Sequence, residues 1–302
     1  MDDRLILDCG GHRHPVSLTD RFAPRTVAAL RAWLPAEITI HCSKIAGAHI
    51  YWPTPVLELL EEGADIHSLP AGSFLYYPDR QYMEITYDAL QAETAAVNTL
   101  GMFEGDLGWL RDFAEGYRRD QGRRQVTARL FLEGTEPVGA TSPGPDMPPG
   151  TPLDRLRAAR CAAWRAEPEE LRAFRHRDGL NIPLGPMITA EGEFRRLQEL
   201  LWRVWRNANR RSDPVRRAIA VEALELALAR VVGYCHLGAA GDTLQAGLDA
   251  VRGAADAPLD DTLGEIVVYC GRMSAWLDLF IPWWEANEIT RRNVAASEGM
   301  HR

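Results

Sequence analysis

A stretch rich in Pro, Gly, Ser and Thr divides the 302-residue chain into two halves of different character. It covers residues 134–152 and lacks the regular apolar spacing of a helix or a strand, so we interpret it as a linker between domains. We therefore expect one domain over residues 1–133 and a second over residues 153–302. A chain of this length is sufficient for two domains of ordinary size.

The first half contains short runs in which apolar and polar residues alternate, as is typical of strands. Gly and Pro turns separate these runs, and two helical patterns interrupt them, over residues 24–34 and 107–118. Asp106 precedes the second pattern in the position of an N-cap. About seven short strands with only two helices predict a small β-barrel.

The second half has a helical pattern along almost its whole length. The segment that begins at Pro214 is apolar on most of its sides, as expected of a central helix in a bundle. Pro282 is expected to bend or end the last segment. The predicted fold class is therefore α+β, with an N-terminal barrel followed by a C-terminal α-helical bundle. The predicted helices cover residues 153–164, 168–177, 191–208, 214–237, 243–254 and 261–289.

Composition argues against several classes of protein. The net charge of −8 disfavours a general nucleic-acid surface, which needs clustered excess Lys and Arg. The five cysteines are widely spaced without a C-x-x-C pair, which favours free thiols in a reducing cytoplasm over disulfides or a zinc site. No apolar run approaches the ~20 residues of a membrane span, and no signal peptide is visible. We expect a cytoplasmic protein without a membrane partner.

Sequence motifs of other catalytic classes are missing. No G-x-G-x-x-G follows a strand, and neither a phosphate-binding G-x-x-x-x-G-K-[ST] nor a G-x-S-x-G elbow occurs. His12 and His14 share one face of a predicted strand, but a metal site needs further ligands nearby. We therefore expect neither a nucleotide cofactor nor a metal.

Residues 72–107 concentrate the aromatic and charged side chains that a binding pocket needs. Two tyrosine-rich strands flank a turn that contains Arg80, and Glu104 stands in an acidic, Gly-punctuated turn before a helix. Two motifs mark the stretch: G-x-x-L-Y-Y-P over residues 72–78 and V-N-x-x-G-x-x-E-G over residues 97–105.

On these two motifs, the first domain resembles the cyclophilin-like bacterial proteins grouped with cucumopine synthase. A helical bundle appended to such a barrel is also similar to cucumopine synthase and to the related bacterial β-carboline synthase. The resemblance implies a cofactor-independent Pictet–Spengler condensation, in which an aromatic L-amino acid and an aldehyde or 2-oxo acid close a new ring. The amino acid is tryptophan or histidine, and the product is β-carboline-like or cucumopine-like. The implied partners are therefore small molecules.

Within this resemblance, individual residues acquire expected roles. Glu104 is predicted to be the general acid and base, since one carboxyl group can serve both proton transfers. Arg80 is predicted to bind a substrate carboxylate through its planar fork. His41 and His49 flank a predicted turn and are further candidates for proton transfer. The predicted pocket walls are Tyr76, Tyr77, Tyr82, Tyr87, Trp52, Asn98 and Phe103.

Each of these residue types also has an ordinary structural explanation. Glu104 fits a carboxylate that the helix dipole favours, and Arg80 fits a solvated turn. Glu84 is the second choice for the acid and base, but strand alternation places it opposite its apolar neighbours, which predicts a solvated side chain. Lys44 is the only lysine of the chain and fits a surface loop better than a Schiff base.

Other functions stay open on the sequence. A non-catalytic cyclophilin-like module that binds a small ligand or peptide is the main alternative. Prolyl isomerase activity is a less supported alternative, because the arginine-centred, Phe-lined site of that class is not found in the sequence. An opine dehydrogenase is disfavoured, because the nucleotide-binding fingerprint is missing. We expect a homodimer, with the bundle either covering the pocket or forming the dimer contact.

Overall fold

The structure, a computed structural model, describes residues 4–44, 47–90, 95–120, 125–135, 150–176, 184–253 and 258–300. Of residues 297–300 it describes the backbone alone. The first part of the described chain forms short strands, as the alternating pattern predicts. The strands are β1 (Arg4–Cys9), β2 (His12–Leu18), β3 (Ala36–Cys42), β4 (Gly47–Pro53), β5 (Ala64–Asp65), β6 (Ser73–Tyr77), β7 (Tyr82–Leu90), β8 (Ala96–Phe103) and β9 (Val126–Leu132). Two helices interrupt them, α1 (Pro24–Trp33) and α2 (Leu107–Arg119).

Eight of these strands form a closed barrel. Their order is β2-β1-β9-β3-β4-β7-β6-β8, and β8 pairs back with β2, while the short β5 is added to β8. Neighbouring strands are antiparallel throughout the described sheet. Closure leaves no long unpaired edge that would template pairing with another chain.

The two faces of the barrel wall carry different side chains. Ile50 and Trp52 of β4 and Met83 and Ile85 of β7 are fully buried in the core. Because successive side chains of a strand point to opposite faces, the residues between them, such as Tyr51, must lie on the outer face. At β4 and β7 the structure largely buries that outer face as well, because helices pack on it.

These helices follow the barrel strands along the chain. Each lies close to its predicted position, although the third begins at Leu184 rather than 191. The last predicted segment is two helices, because the first of them ends at Asp278 and the second begins at Trp283, directly after Pro282. The helices are α3 (Pro152–Arg165), α4 (Glu169–Arg175), α5 (Leu184–Arg206), α6 (Asp213–Gly233), α7 (Gly238–Arg252), α8 (Leu259–Asp278) and α9 (Trp283–Met300). The predicted fold class, a β-barrel followed by a helical bundle, is confirmed.

Helix α8 is the central element of the bundle. It packs against α5, α3 and α7 and also contacts β4 of the barrel, and most of its residues are buried. The hydrophobic core accordingly runs without interruption from the barrel into the bundle. Of the predicted linker, residues 136–149 lie outside the described residues, so the division into two domains stays a prediction. Within the described ranges, no helix is long and apolar enough to cross a membrane.

The closure of the barrel depends on a glycine, which yields a stability prediction. Gly101 of β8 faces β2, and a Cβ added there would stand 1.7 Å from the carbonyl oxygen of Ser17. Because backbone cannot move aside as a flexible side chain does, we expect Gly101→Ala to lower the free energy of unfolding by about 1–3 kcal/mol or more. Urea denaturation measures the change. Gly192→Ala in α5 is the control, since its Cβ meets no atom within 4 Å and alanine favours a helix.

Candidate active site

A cavity of about 300 Å³ lies between the outer face of the barrel and the bundle. The barrel contributes β4, β6 and β7 together with the loop after β3, and the bundle contributes α5, α8 and the start of α9. Most of its lining side chains are polar or aromatic. They are Ser43, Lys44, His49, Tyr51, Tyr77, Arg80, Tyr82, Glu84, Glu191, Arg195, Asp278 and Trp283.

The barrel side of this cavity is one face of four neighbouring strands. Tyr51 of β4 is paired with His41 of β3 and with Glu84 of β7, and Tyr82 of β7 is paired with Tyr77 of β6. Residues directly opposite in antiparallel strands share a face, so all five side chains project toward the bundle. The ring of Tyr51 stands 5.0 Å from that of His41 and 4.8 Å from that of Tyr82, which makes a continuous aromatic wall.

Asp278, at the C-terminal end of α8, connects this wall to the bundle. The Lys44 ammonium donates to its carboxylate and, at 2.7 Å, to its backbone carbonyl. The Tyr51 hydroxyl donates to Oδ2 at 3.1 Å, and the Trp283 indole donates to Oδ1 at 2.9 Å. Burial alone would raise the pKa of Asp278, but the charge of Lys44 and the neighbouring His41 hold that pKa well below its usual range.

A second ion pair, of which the carboxylate is buried and the guanidinium partly exposed, forms the bundle side of the cavity. Glu191 and Arg195 stand one turn apart on α5 and pair with each other, and Ser274 of α8 donates to Glu191 at 2.9 Å. Burial works to lower the pKa of Arg195, but the nearby Tyr82, Glu191 and Asp278 raise it above its usual value. Arg195 therefore stays charged at the cavity surface.

The turn between β6 and β7 places Arg80 at the cavity. Its Nη2 lies 2.9 Å from a carboxylate oxygen of Glu199 on α5. Gln198, the preceding residue, donates to the carbonyl of Arg80 at 2.9 Å and to the side-chain oxygen of Gln81 at 2.6 Å. The bundle thus holds both the backbone and the guanidinium of this turn, which positions Arg80 for a ligand.

Glu84 is the barrel carboxylate that reaches the cavity. The residue is 4% exposed, and its Oε2 lies 3.9 Å from Nε2 of His49. Burial raises the pKa of the neighbouring Tyr82 to about 12, so that its phenol stays protonated beside the carboxylate. The site therefore combines an acidic group, a neutral imidazole and phenol rings at close range.

Both histidines near the site are buried and uncharged at neutral pH. Burial lowers the pKa of His41 and the pKa of His49 to about 4 each. His41 lies behind Tyr51, with Nδ1 3.6 Å from Asp278, which is longer than a hydrogen bond. Because His41 does not line the cavity, it contacts a ligand only through the tyrosine in front of it.

These shifts predict a loss of stability in mild acid. The histidines take up protons near pH 6.5 in the unfolded chain and only near pH 4 in the folded chain. Their contribution to the free energy of unfolding is therefore fully present above pH 6.5 and is lost as the pH drops toward 4. We expect each histidine to contribute about 1 kcal/mol per pH unit in that window. Urea denaturation at pH 7.5, 6 and 5 measures the slope. His41→Gln should reduce it and the exposed His67→Gln should not; equal slopes in the two variants would contradict the assignment.

The predicted acid and base, Glu104, lies away from this cavity. It is exposed, and its carboxylate pairs with Arg4 at 3.2 Å. Its backbone amide donates to the carbonyl of Pro15. The structure brings it to none of the other predicted site residues, apart from its chain neighbour Phe103, so its catalytic role stays a prediction without a supporting neighbour.

Four of the predicted residues do line the cavity: Arg80, His49, Tyr77 and Tyr82. Tyr87 lines a neighbouring cavity of about 930 Å³ instead, which shares Ser43 and Lys44 with the first. Burial raises its pKa to about 12.

The remaining predicted wall residues have structural surroundings. Tyr76 is fully buried and donates to the carbonyl of Val56 at 2.8 Å. Trp52 is fully buried against Phe74. Asn98 is buried and ties the loop before β5 to the barrel, through the carbonyl of Leu59 and the amide of Glu61.

Phe103 is buried beside His14, with the two ring centres 5.5 Å apart. Across the described chain, no group of three or more His, Cys, Asp or Glu side chains is arranged to hold a metal ion.

Two expectations about charged residues are wrong. Glu84 is not solvated, because the bundle covers the outer face of the barrel on which strand alternation correctly places it. Lys44 is not a surface residue, since its side chain is only 5% exposed and is bound to Asp278. Both errors have the same cause: the helical bundle packs on a face of the barrel whose polar side chains are typical of a face exposed to water.

The site residues that the bundle contributes were not predicted from the sequence. A signal exists for one of them: in the apolar run of residues 266–281 the charged residues are Arg272 and Asp278. Charged side chains are almost never buried without a partner or a function, so such a run points to both positions. Glu191 and Arg195 carry no comparable mark, because a charged pair one turn apart is also common on exposed helices.

Comparison with known proteins supports the fold. No protein-family model matches the sequence, and no curated protein matches it. The structure of McbB in complex with tryptophan is similar, with a TM-score of 0.77 over 94% of this chain and 99% of that chain, at 15% identity. The solution structure of the hypothetical protein AF2241 from Archaeoglobus fulgidus has a TM-score of 0.33 over 43% of this chain and 94% of that chain, at 20% identity, which is too low to indicate a shared fold. Nearly the whole chain, barrel and bundle together, thus has the fold of McbB.

Proposed function

We propose that the protein is an enzyme that condenses an aromatic L-amino acid with an aldehyde or a 2-oxo acid by a Pictet–Spengler reaction. The observation that carries the proposal is the cavity in which a buried carboxylate, Glu84, stands with two arginines against a wall of tyrosines. The resemblance of the sequence motifs to Pictet–Spengler synthases supports it. So does the similarity of fold to McbB, which was determined in complex with tryptophan.

The arginines Arg80 and Arg195 are suited to the carboxylates of the substrates. A guanidinium presents parallel N–H donors that match a carboxylate, and both arginines line the cavity. An amino acid carries one carboxylate and a 2-oxo acid carries another. Two arginines on opposite walls, one from the barrel and one from the bundle, are in this proposal the binding groups for the two.

Glu84 is proposed to move the protons, in place of Glu104. The amine adds to the carbonyl to give a carbinolamine, and a protonated Glu84 gives its proton to the departing hydroxyl, which leaves as water. The ring carbon then attacks the iminium carbon, and the carboxylate of Glu84 takes the proton that the ring must lose. The proton given in the first step is recovered in the last, so one carboxyl group completes the cycle.

Tyr51, Tyr77 and Tyr82 are proposed to hold the substrate ring over the iminium carbon. Their aromatic faces attract a cation, which favours the positively charged iminium intermediate. Burial raises the pKa of Tyr51 well above its usual value, so its phenol remains neutral and does not compete as a base. His49 is neutral as well and is available as a hydrogen-bond partner to Glu84.

A cofactor-free substrate screen tests the reaction. The purified chain is incubated with tryptophan or histidine and with methylglyoxal or 2-oxoglutarate, and products are identified by mass spectrometry. The expected product has the summed mass of the two substrates minus one water. Tryptophan that binds and is recovered unchanged across the panel would overturn the enzyme proposal and favour a non-catalytic binding module.

The oligomeric state is a further part of the proposal. Four apolar side chains on α6 and in the turn after it are well exposed, which supports a contact between two copies of the chain. Sedimentation equilibrium is expected to give the mass of a dimer. The exposed residues are Val215, Leu226, Val232 and Tyr234.

A further inference from the structure

A second cavity, of about 730 Å³, lies at a different part of the contact between barrel and bundle. It shares no lining residue with the candidate active site. Cavities of this volume match drug-sized organic molecules. Aromatic and polar side chains from β3, α1, α3 and α8 line it, among them Trp33, Thr39, Cys161, Trp164, Arg272 and Trp276.

Arg272 of α8 is the buried charge of this cavity. It is 6% exposed, and its guanidinium carbon lies 3.9 Å from the ring centre of Trp276 and 5.3 Å from that of Trp164. Its Nε donates to the carbonyl of Ala163 at 3.4 Å, and Nη2 donates to Thr39 at 3.2 Å. Over the described ranges, Nη1 has no hydrogen-bond partner and no carboxylate lies within ion-pair distance. Taking a charge out of water is costly, so an arginine held this way favours an anion beside it.

The charges around the cavity also favour an anionic ligand. Its lining includes four arginines and two glutamates, although the chain as a whole carries a net charge of −8. Glu167 is already neutralised by Arg175, while Arg160 pairs with Glu265 and Arg172 with Glu169, so the charge of the cavity rests on Arg165 and Arg272. Arg165 is exposed and forms no ion pair with any side chain that the structure describes. The cavity is thus a positively charged, tryptophan-lined space in an acidic protein.

We propose that this second cavity binds a small organic anion that carries an aromatic ring, with the anionic group on Arg272 and the ring among the tryptophans. Arginine holds carboxylates through parallel hydrogen bonds, and indole rings supply flat apolar walls. A neutral aromatic molecule would leave the guanidinium of Arg272 without a counter-charge. An anion without a ring would leave the apolar faces of the tryptophans exposed to water. The binding is independent of whichever reaction the first cavity performs.

Cys161 offers a local readout, because it lines this cavity and is partly exposed, whereas the other four cysteines are buried. The full chain is treated with iodoacetamide, and alkylation of Cys161 is followed by peptide mass spectrometry. The aromatic carboxylate 1-naphthoate should slow the alkylation with a saturable dependence on its concentration. At the same concentrations, the neutral 1-naphthalenemethanol and the ringless acetate should not.

Substitutions then separate charge recognition from general binding. Arg272→Met should raise the naphthoate concentration needed for protection by about tenfold or more, since a charge-assisted contact is lost. If that variant does not fold, Arg165→Glu serves instead and should weaken protection relative to Arg203→Glu, a matched charge reversal outside this cavity. Absence of protection by naphthoate, equal protection by the neutral alcohol, or no difference between the Arg165 and Arg203 variants would each overturn the proposal.

Discussion

Replacing Asp278 by asparagine should lower the free energy of unfolding by about 3–5 kcal/mol, because it leaves the Lys44 ammonium buried without its counter-charge. Asparagine keeps the shape of the side chain, so the packing of α8 against the barrel changes little. The loss therefore measures an unpaired buried charge rather than a cavity. Urea denaturation monitored by circular dichroism gives the value.

Two further variants locate the cause of that loss. Lys44→Met combined with Asp278→Asn should recover much of the stability, since the pair is then removed together, and the double-mutant cycle gives the coupling energy. Asp88→Asn is the matched control, because Asp88 pairs with Arg111 on the surface, where an ion pair is worth about 1 kcal/mol or less. Additive effects of the Lys44 and Asp278 substitutions would show that the two charges do not stabilise each other.

Replacing Glu84 by glutamine should lower kcat/KM for the condensation by about 10²–10⁴-fold, because an amide cannot carry the proton between the two steps. Glutamine fills the same space, so the fold and the binding of the amino acid should persist. Turnover is measured by product mass spectrometry with the substrate pair found in the screen. The stability of the variant, measured in parallel, separates lost chemistry from lost structure.

Glu104→Gln provides the discriminating comparison. Its carboxylate pairs with Arg4 on the surface, away from the cavity, so we expect its activity to stay close to that of the unchanged protein. The reverse result, a large loss for Glu104→Gln and none for Glu84→Gln, would return the role to Glu104 and remove the chemical basis for the proposed cavity. A large loss in both would contradict the assignment of both proton transfers to Glu84 alone.

Local sequence patterns were sufficient for most of the secondary structure. Two-residue alternation predicted the strands, and the apolar periodicity predicted the helices, because each pattern depends on neighbours within a few positions. Asp106 caps α2 as predicted, because its side-chain Oδ1 accepts a hydrogen bond from the backbone amide of Gly108 at 2.8 Å. The fold class followed from the order of these elements, since a strand-rich half and a helical half cannot share one layer.

The site was only partly predictable, for a reason that Glu84 illustrates. Alternation gave its face correctly, but a polar outward face normally means water. Whether helices cover that face depends on contacts between residues far apart in the chain, such as Lys44 with Asp278, which are 234 positions apart. No local pattern contains that information.

By itself, the sequence determined a barrel followed by a bundle, the faces of the strands and the presence of Arg80, His49, Tyr77 and Tyr82 among the candidate residues. Only the tertiary structure decided that the candidate cavity lies on the outer face of the barrel and is completed by residues of the bundle. The physical reason is burial: a charged or aromatic side chain on the outer wall becomes part of a site when α5 and α8 exclude water from it. Asp278 and Arg272, the two charged residues in the apolar run of α8, each line a different cavity between barrel and bundle.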